Sequence, residues 1–142
     1  MKKILVAYWS GTGNTETMAQ QVAKGAGDGG AEVTLQSVEK VTPDMVKAAE
    51  ALAFGCPAMG DEALEETEME PFIGRLSQAE LGGKPLALFG SYDWGDGQWM
   101  KSWAERMKGL GASVEGEGLI TQLVPDQDAC SKCYELGKKL AG

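Results

Sequence analysis

The sequence predicts an α/β fold, a three-layer sandwich in which helices cover both faces of a five-stranded parallel sheet of order 2-1-3-4-5. Three observations predict it. Five short apolar runs suited to strands recur along the chain. Segments with helical spacing separate them, and strands alternating with helices form a parallel sheet covered on both sides. The 142-residue length suits a single domain, residues 1–142, with a full-sized core.

Taken in order, Lys3–Trp9 reads as a buried strand. Asn14–Gly25 reads as a helix, with Met18, Val22 and Ala26 on one face and the glycines from Gly25 to Gly30 ending it. Glu32–Val38 alternates polar and apolar residues, as a strand near a sheet edge does. Pro43–Ala49 forms one or two helical turns, and Ala51–Gly55 a short buried strand. Glu68–Ser77 reads as a helix with Pro71 in its first turn. Pro85–Gly90 is a buried strand and Gln98–Leu110 a helix capped by Gly111. Ser113–Ile120 is the last strand. Asp126–Leu140 is the last helix, with Asp126 as its N-cap.

Composition excludes several functions. Thirteen Lys and Arg against 21 Asp and Glu give a net charge of −8, which disfavours nucleic acid and anionic membranes and favours a basic protein partner. No apolar run is long enough to span a bilayer, and the short N-terminal apolar stretch lacks a signal-peptide cleavage site. The expected location is the cytoplasm. With no histidine, Cys-His and Ser-His nucleophile pairs and His-containing metal sites are excluded. Three cysteines make no disulfide framework, and Cys130-Ser-Lys-Cys133 lies too late in the chain for a thioredoxin-type pair. No metal site is expected.

The chemistry lies in the loop after the first strand, Ser10-Gly11-Thr12-Gly13-Asn14-Thr15. Hydroxyls, backbone N–H groups and a helix N-terminus converge there, a receptor for a phosphate monoester. The loop carries no Lys, so it is no Walker loop. Glu16 stands where a dinucleotide fingerprint needs its third glycine. In a doubly wound sheet the ligand sits where strand order reverses, which brings in the loops after the third and fourth strands. These are Cys56-Pro57-Ala58-Met59-Gly60-Asp61-Glu62 and Ser91-Tyr92-Asp93-Trp94-Gly95-Asp96-Gly97. Met59 and Trp94 have no periodic partner that would make them core. Flanking one crevice, they would form a slot for a flat aromatic ring. A planar ring on a phosphate-terminated chain fits riboflavin phosphate, FMN.

The three motifs, spanning Tyr8–Glu16, Ala58–Glu62 and Phe89–Gly97, together resemble the short-chain flavodoxins, and the similarity covers the whole chain. The resemblance implies a flavodoxin-like fold and non-covalently bound FMN. It implies that Ser10, Gly11, Thr12, Gly13, Asn14 and Thr15 hold the phosphate. Pro57, Ala58, Met59, Gly60, Asp61, Glu62, Ser91, Tyr92, Trp94 and Gly95 would surround the ring. Met59 would cover its inner face, Trp94 its outer face, and Glu62 would bond its pyrimidine side. The peptide joining Gly60 and Asp61, the redox-tuning pair, would turn over on reduction so that the Gly60 carbonyl accepts a hydrogen bond from flavin N5. A glycine permits both orientations. Asp93 departs from the pattern, which usually has glycine there.

The function implied is that of a low-potential one-electron carrier, cycling mainly between semiquinone and hydroquinone. It would be monomeric and would dock basic faces of partner reductases or oxidoreductases. Asp61, Glu62, Glu65, Glu66, Asp93 and Asp96 would surround the flavin with negative charge. The alternative is an FMN-dependent quinone or nitro reductase on the same fold. A phosphoacceptor module would need an Asp ending the third strand, where Gly55-Cys56 stands.

Overall fold

The computed structural model describes residues 2–59 and 63–142. Its parallel sheet is built from β1 (Lys3–Tyr8), β2 (Glu32–Ser37), β3 (Ala51–Gly55), β4 (Pro85–Tyr92), β5 (Ser113–Val114) and β6 (Leu119–Gln122). The order is β2-β1-β3-β4-β5, with β6 continuing beside β4 beyond β5. The helices are α1 (Asn14–Asp28), α2 (Pro43–Ala48), α3 (Met69–Gly74), α4 (Gln78–Leu81), α5 (Gln98–Gly109) and α6 (Gln127–Ala141).

Strand alternation sorts the core into two halves. Leu5, Leu52, Phe54, Leu86 and Leu88 point to one face, where Phe72, Trp99 and Trp103 pack on them. Phe54 and Phe72 meet edge to face, with centroids 5.3 Å apart. The other face presents Ala51, Ala53 and Ala87 together with Ile4, Val6 and Phe89 beneath α1 and α6.

The first departure from the sequence reading lies between these two helices. Gly25 and Gly27 do not end α1, which runs on to Asp28. A Cβ on Gly25 would lie 1.9 Å from the Tyr134 carbonyl oxygen, and one on Gly137 would lie 2.0 Å from that of Val22. Gly25, which reads as a breaker, and Gly137, inside the last helix, are thus contact points between helices, and burial across α1 and α6 outweighs their poor helix propensity.

Three further boundaries shift. The segment expected as one strand over Ser113–Ile120 is two, separated by Glu115–Gly118. Pro85 pairs with Ser113 but Phe89 with Leu119, so the second strand resumes two residues out of phase. Gly116 (φ 65°) and Gly118 (φ 97°) make the turn that absorbs them. The helix expected over Glu68–Ser77 stops at Gly74, and a second short helix follows, capped by Ser77. Strand β4 continues through Ser91 and Tyr92, which read as loop, because β6 pairs with both.

Candidate functional site

Three loops meet at the carboxyl ends of β1, β3 and β4, at the point where strand order reverses. A cleft of about 120 Å³ opens between them, lined by Trp9, Gly11, Thr12, Pro57, Ala58, Met59, Ser91, Tyr92 and Asp93. The sheet builds this convergence backbone to backbone. Trp9 N–H donates to Gly55 O (3.0 Å), Cys56 N–H to Phe89 O (3.1 Å) and Ala58 N–H to Ser91 O (3.0 Å). Each loop therefore leaves its strand still bonded to the next one.

The first loop is folded on its own hydroxyls. Ser10 Oγ accepts from Gly13 N–H (3.0 Å) and Thr12 Oγ1 from Asn14 N–H (3.4 Å). Gly13, at φ 95°, is the N-cap of α1, a left-handed conformation that glycine adopts without strain. Its carbonyl accepts from both the N–H and the hydroxyl of Thr17, each at 3.0 Å. Among the described residues the N–H groups of Gly11, Thr12, Thr15 and Glu16 find no protein acceptor. They are the unsatisfied donors of a loop and helix start, where an anion is stabilised. The donors fit a phosphate, and FMN ends in one.

Thr15 is buried at 1% exposure, and its hydroxyl lies 3.1 Å from the hydroxyl of Ser91, itself 5% exposed. The Ser91 N–H also donates to Thr15 Oγ1 (3.4 Å). The two predicted site residues therefore bond to each other, joining the phosphate-type loop to the end of β4. Thr15 faces that loop with its N–H, while its hydroxyl is engaged with Ser91.

The second loop is held from beneath. Trp99, on α5, donates its indole N–H to Cys56 O (3.3 Å), and the ring packs at 5.6 Å from Tyr92. Cys56 Sγ accepts from the Glu65 N–H (3.4 Å). Burial pushes the Cys56 thiol up to about 12, so it is protonated at neutral pH and no nucleophile. Met59 and Ala63 exchange both backbone hydrogen bonds, at 2.8 and 2.9 Å, bracketing the intervening segment. Gly60, Asp61 and Glu62 lie outside the described residues, and with them the redox-tuning pair.

Glu65 corrects the acid-cluster expectation. It is 5% exposed, and its carboxylate accepts from the N–H and hydroxyl of Thr67 and from the N–H groups of Glu68 (2.7 Å) and Met69 (3.0 Å). Burial alone would raise its pKa, but these donors outweigh it and hold the carboxyl below its ordinary value. Glu65 organises the start of α3 and is not part of an open acidic face. Glu66, Asp93 and Asp96 are exposed.

Met59 and Trp94 are exposed at 38% and 60%, as their lack of periodic partners implies. Met59 lines the cleft, whereas Trp94 and Gly95 are not among its lining residues, which on this loop are Ser91, Tyr92 and Asp93. Trp9 is a lining residue that the sequence reading missed. The available signal was a large aromatic side chain on the last residue before the small-residue loop. Cys130 and Cys133 are free thiols on α6, away from the cleft, and burial pushes Cys133 up to about 12.

Comparison with known proteins agrees with the fold and motifs. The family model described as Flavodoxin matches residues 6–137. A flavodoxin of Clostridium beijerinckii is 50% identical over 96% of this chain and 97% of its own. One from Megasphaera elsdenii is 40% identical over 96% of each. The solution structure of the two-electron reduced Megasphaera elsdenii flavodoxin superposes with a TM-score of 0.86, covering 97% of this chain and 98% of that one. A flavodoxin from the domain Archaea, 30% identical, superposes with a TM-score of 0.89 over 98% and 96%. These names describe electron carriers and lend no support to the reductase alternative. With the sheet order, the switch-point cleft and this similarity along nearly the whole length, the chain belongs to the flavodoxin family.

Proposed function

We propose that the loops after β1, β3 and β4 hold FMN, with its phosphate against residues 10–15 and its ring beside Met59 and Trp94. As a flavodoxin, the chain is an FMN-binding electron-transfer protein and not an enzyme. When bound, FMN supplies the redox chemistry, taking up and passing on electrons singly.

The observation that supports this reading is the set of unpartnered N–H groups on Gly11 and Thr12, which line the cleft, and on Thr15 and Glu16 in the first turn of α1. No lysine or arginine lies between Lys3 and Lys24, so dipoles and hydroxyls would neutralise the phosphate. Ser10, Thr12 and Asn14 would orient it, and the Thr15–Ser91 bond would keep the phosphate loop in register with the ring loop. Pro57, Ala58 and Tyr92 would exclude water from the ring. Gly60, Asp61 and Glu62 would contact its edge, the Gly60 carbonyl accepting a hydrogen bond from a protonated ring N5. The cleft is smaller than the roughly 300–1,000 Å³ of enclosing pockets. A ring seated there would need an edge open to a partner for outward electron transfer. The partner face complementary to the exposed acids is basic.

Titrating apo-protein with FMN and following flavin fluorescence tests the site. Trp94→Ala should weaken binding by roughly 1–3 kcal/mol, the loss of a stacked aromatic face. An unchanged dissociation constant removes Trp94 from the site. In a redox titration, Gly60→Ala should bring the two one-electron potentials closer together, because a Cβ hinders the peptide turn. Potentials identical to wild type would take that role from Gly60. Steady NAD(P)H oxidation by the loaded protein alone would revive the reductase alternative.

A further inference from the structure

Among the described residues, five large apolar side chains are exposed: Leu35, Met59, Trp94, Leu123 and Val124. Leu35 lies on the edge strand β2. The other four follow the carboxyl ends of β3, β4 and β6. Met59 and Trp94 are accounted for by the proposed FMN site. Leu123 (52% exposed) and Val124 (73%) are not, and neither lines the cleft.

Leu123 is also the one non-glycine residue with positive φ (59°) among those described. A leucine in the left-handed region is strained, and such strain persists only where surrounding structure enforces it. The enforcing bonds are visible. Leu123 N–H donates to Tyr92 O (2.8 Å), and the Gln122 side-chain amide donates to Asp93 O (3.2 Å). The turn after β6 is thereby fastened to the segment leading into Trp94, and it holds two apolar side chains out in water.

Charge identifies the occupant. At this end of the sheet, the described residues of segments 9–16, 57–68, 91–97 and 122–128 include the exposed acids Glu16, Glu66, Asp93, Asp96, Asp126 and Asp128 and no lysine or arginine. Asp93, Asp96 and Asp126 flank the apolar residues in sequence and are exposed. Such a surface complements a face with an apolar centre and a rim of lysines or arginines. The apolar contact resists separation, while the charges steer approach.

We propose that Leu123 and Val124 form the apolar contact of a docking surface for a basic redox protein, on the Trp94 side of the FMN site. The inference rests on the FMN site proposed above, since the surface is useful only if the electron leaves nearby. One electron passes from the reduced protein to the partner's acceptor, with no atom transferred.

Cytochrome c serves as the probe, a basic protein whose haem edge lies within a ring of lysines. FMN-loaded protein, reduced anaerobically, is mixed with ferricytochrome c by stopped flow, and with ferricyanide as a small acceptor. The variant is Leu123→Asn with Val124→Ser, because asparagine tolerates the left-handed conformation. Leu35→Ser, on the far sheet edge, is the control. The double variant should reduce cytochrome c at least about fivefold more slowly. Its FMN affinity, its ferricyanide rate and the salt dependence of its cytochrome c reaction should match wild type. An unchanged cytochrome c rate overturns the docking role, as does an equal slowing with ferricyanide or in Leu35→Ser. Wild-type protein that takes up no FMN would instead sink the underlying site reading.

Discussion

Glu65 shows how one residue can read as function and act as structure. Its neighbours in sequence are acids, yet its carboxylate turns inward onto the donors of Thr67, Glu68 and Met69. Glu65→Ala should cost roughly 1–3 kcal/mol, because those buried donors lose their acceptor. Thermal unfolding at neutral pH measures it. The pH dependence has a fixed sign. A carboxyl whose pKa is depressed by folding contributes fully above its unfolded value, about 4.3, and loses that contribution as pH falls through the lower folded value. The gap between wild type and variant should therefore close in acid. A gap constant from neutral pH down to acid would show that the carboxylate charge contributes nothing. Cys56 is the neutral counterpart: buried and protonated, it supports the same loop through the Glu65 N–H.

At the scale of elements, the α1–α6 contact separates two kinds of glycine. Gly25→Ala places a Cβ 1.9 Å from the Tyr134 carbonyl, so the helices must move apart. The expected cost is about 1–3 kcal/mol, as for an overpacked core. Gly27, one residue pair further along the same helix, has nothing within 4 Å of an added Cβ. Gly27→Ala should stabilise by about 0.5–1 kcal/mol through helix propensity. Chemical denaturation of the two variants decides it, and equal effects would refute the packing account. A second tie works between elements on the opposite face, where Arg106 on α5 donates to both carboxylate oxygens of Glu70 on α3, at 2.7 and 2.8 Å. That pair is part-exposed and worth little in stability, but it fixes α3, and with it the end of the loop that begins at Cys56.

Across the whole molecule, the candidate site is assembled from three segments that only the sheet brings together. A ligand bridging them stabilises the folded state by mass action. Free FMN at about 100 times its dissociation constant should raise the unfolding free energy by about 2.7 kcal/mol. The rise should be smaller in Trp94→Ala at the same FMN concentration. A melting temperature indifferent to FMN would contradict binding at the folded cleft. The acids cluster at this end too, so association with a basic partner should slow as salt rises.

The sequence by itself determined the strand and helix alternation, the sheet order and the three loops between which the cleft opens. Those follow from local signals: apolar runs, helical spacing, and small residues after the first strand. The capping role of Asp126 was equally legible, and Ala129 N–H does donate to its carboxylate (2.8 Å). What tertiary structure decided were features set by partners distant in sequence. Gly25 continues a helix because Tyr134 packs on it, and β4 reaches Tyr92 because β6 pairs there. Glu65 turns inward because Thr67, Glu68 and Met69, leading into α3, present their donors to it, and Trp9 lines the cleft at a point where its N–H is tied to Gly55. Local propensity fixes which residues form an element. Burial and hydrogen bonding across the sheet fix where the element ends and which side chains face the site.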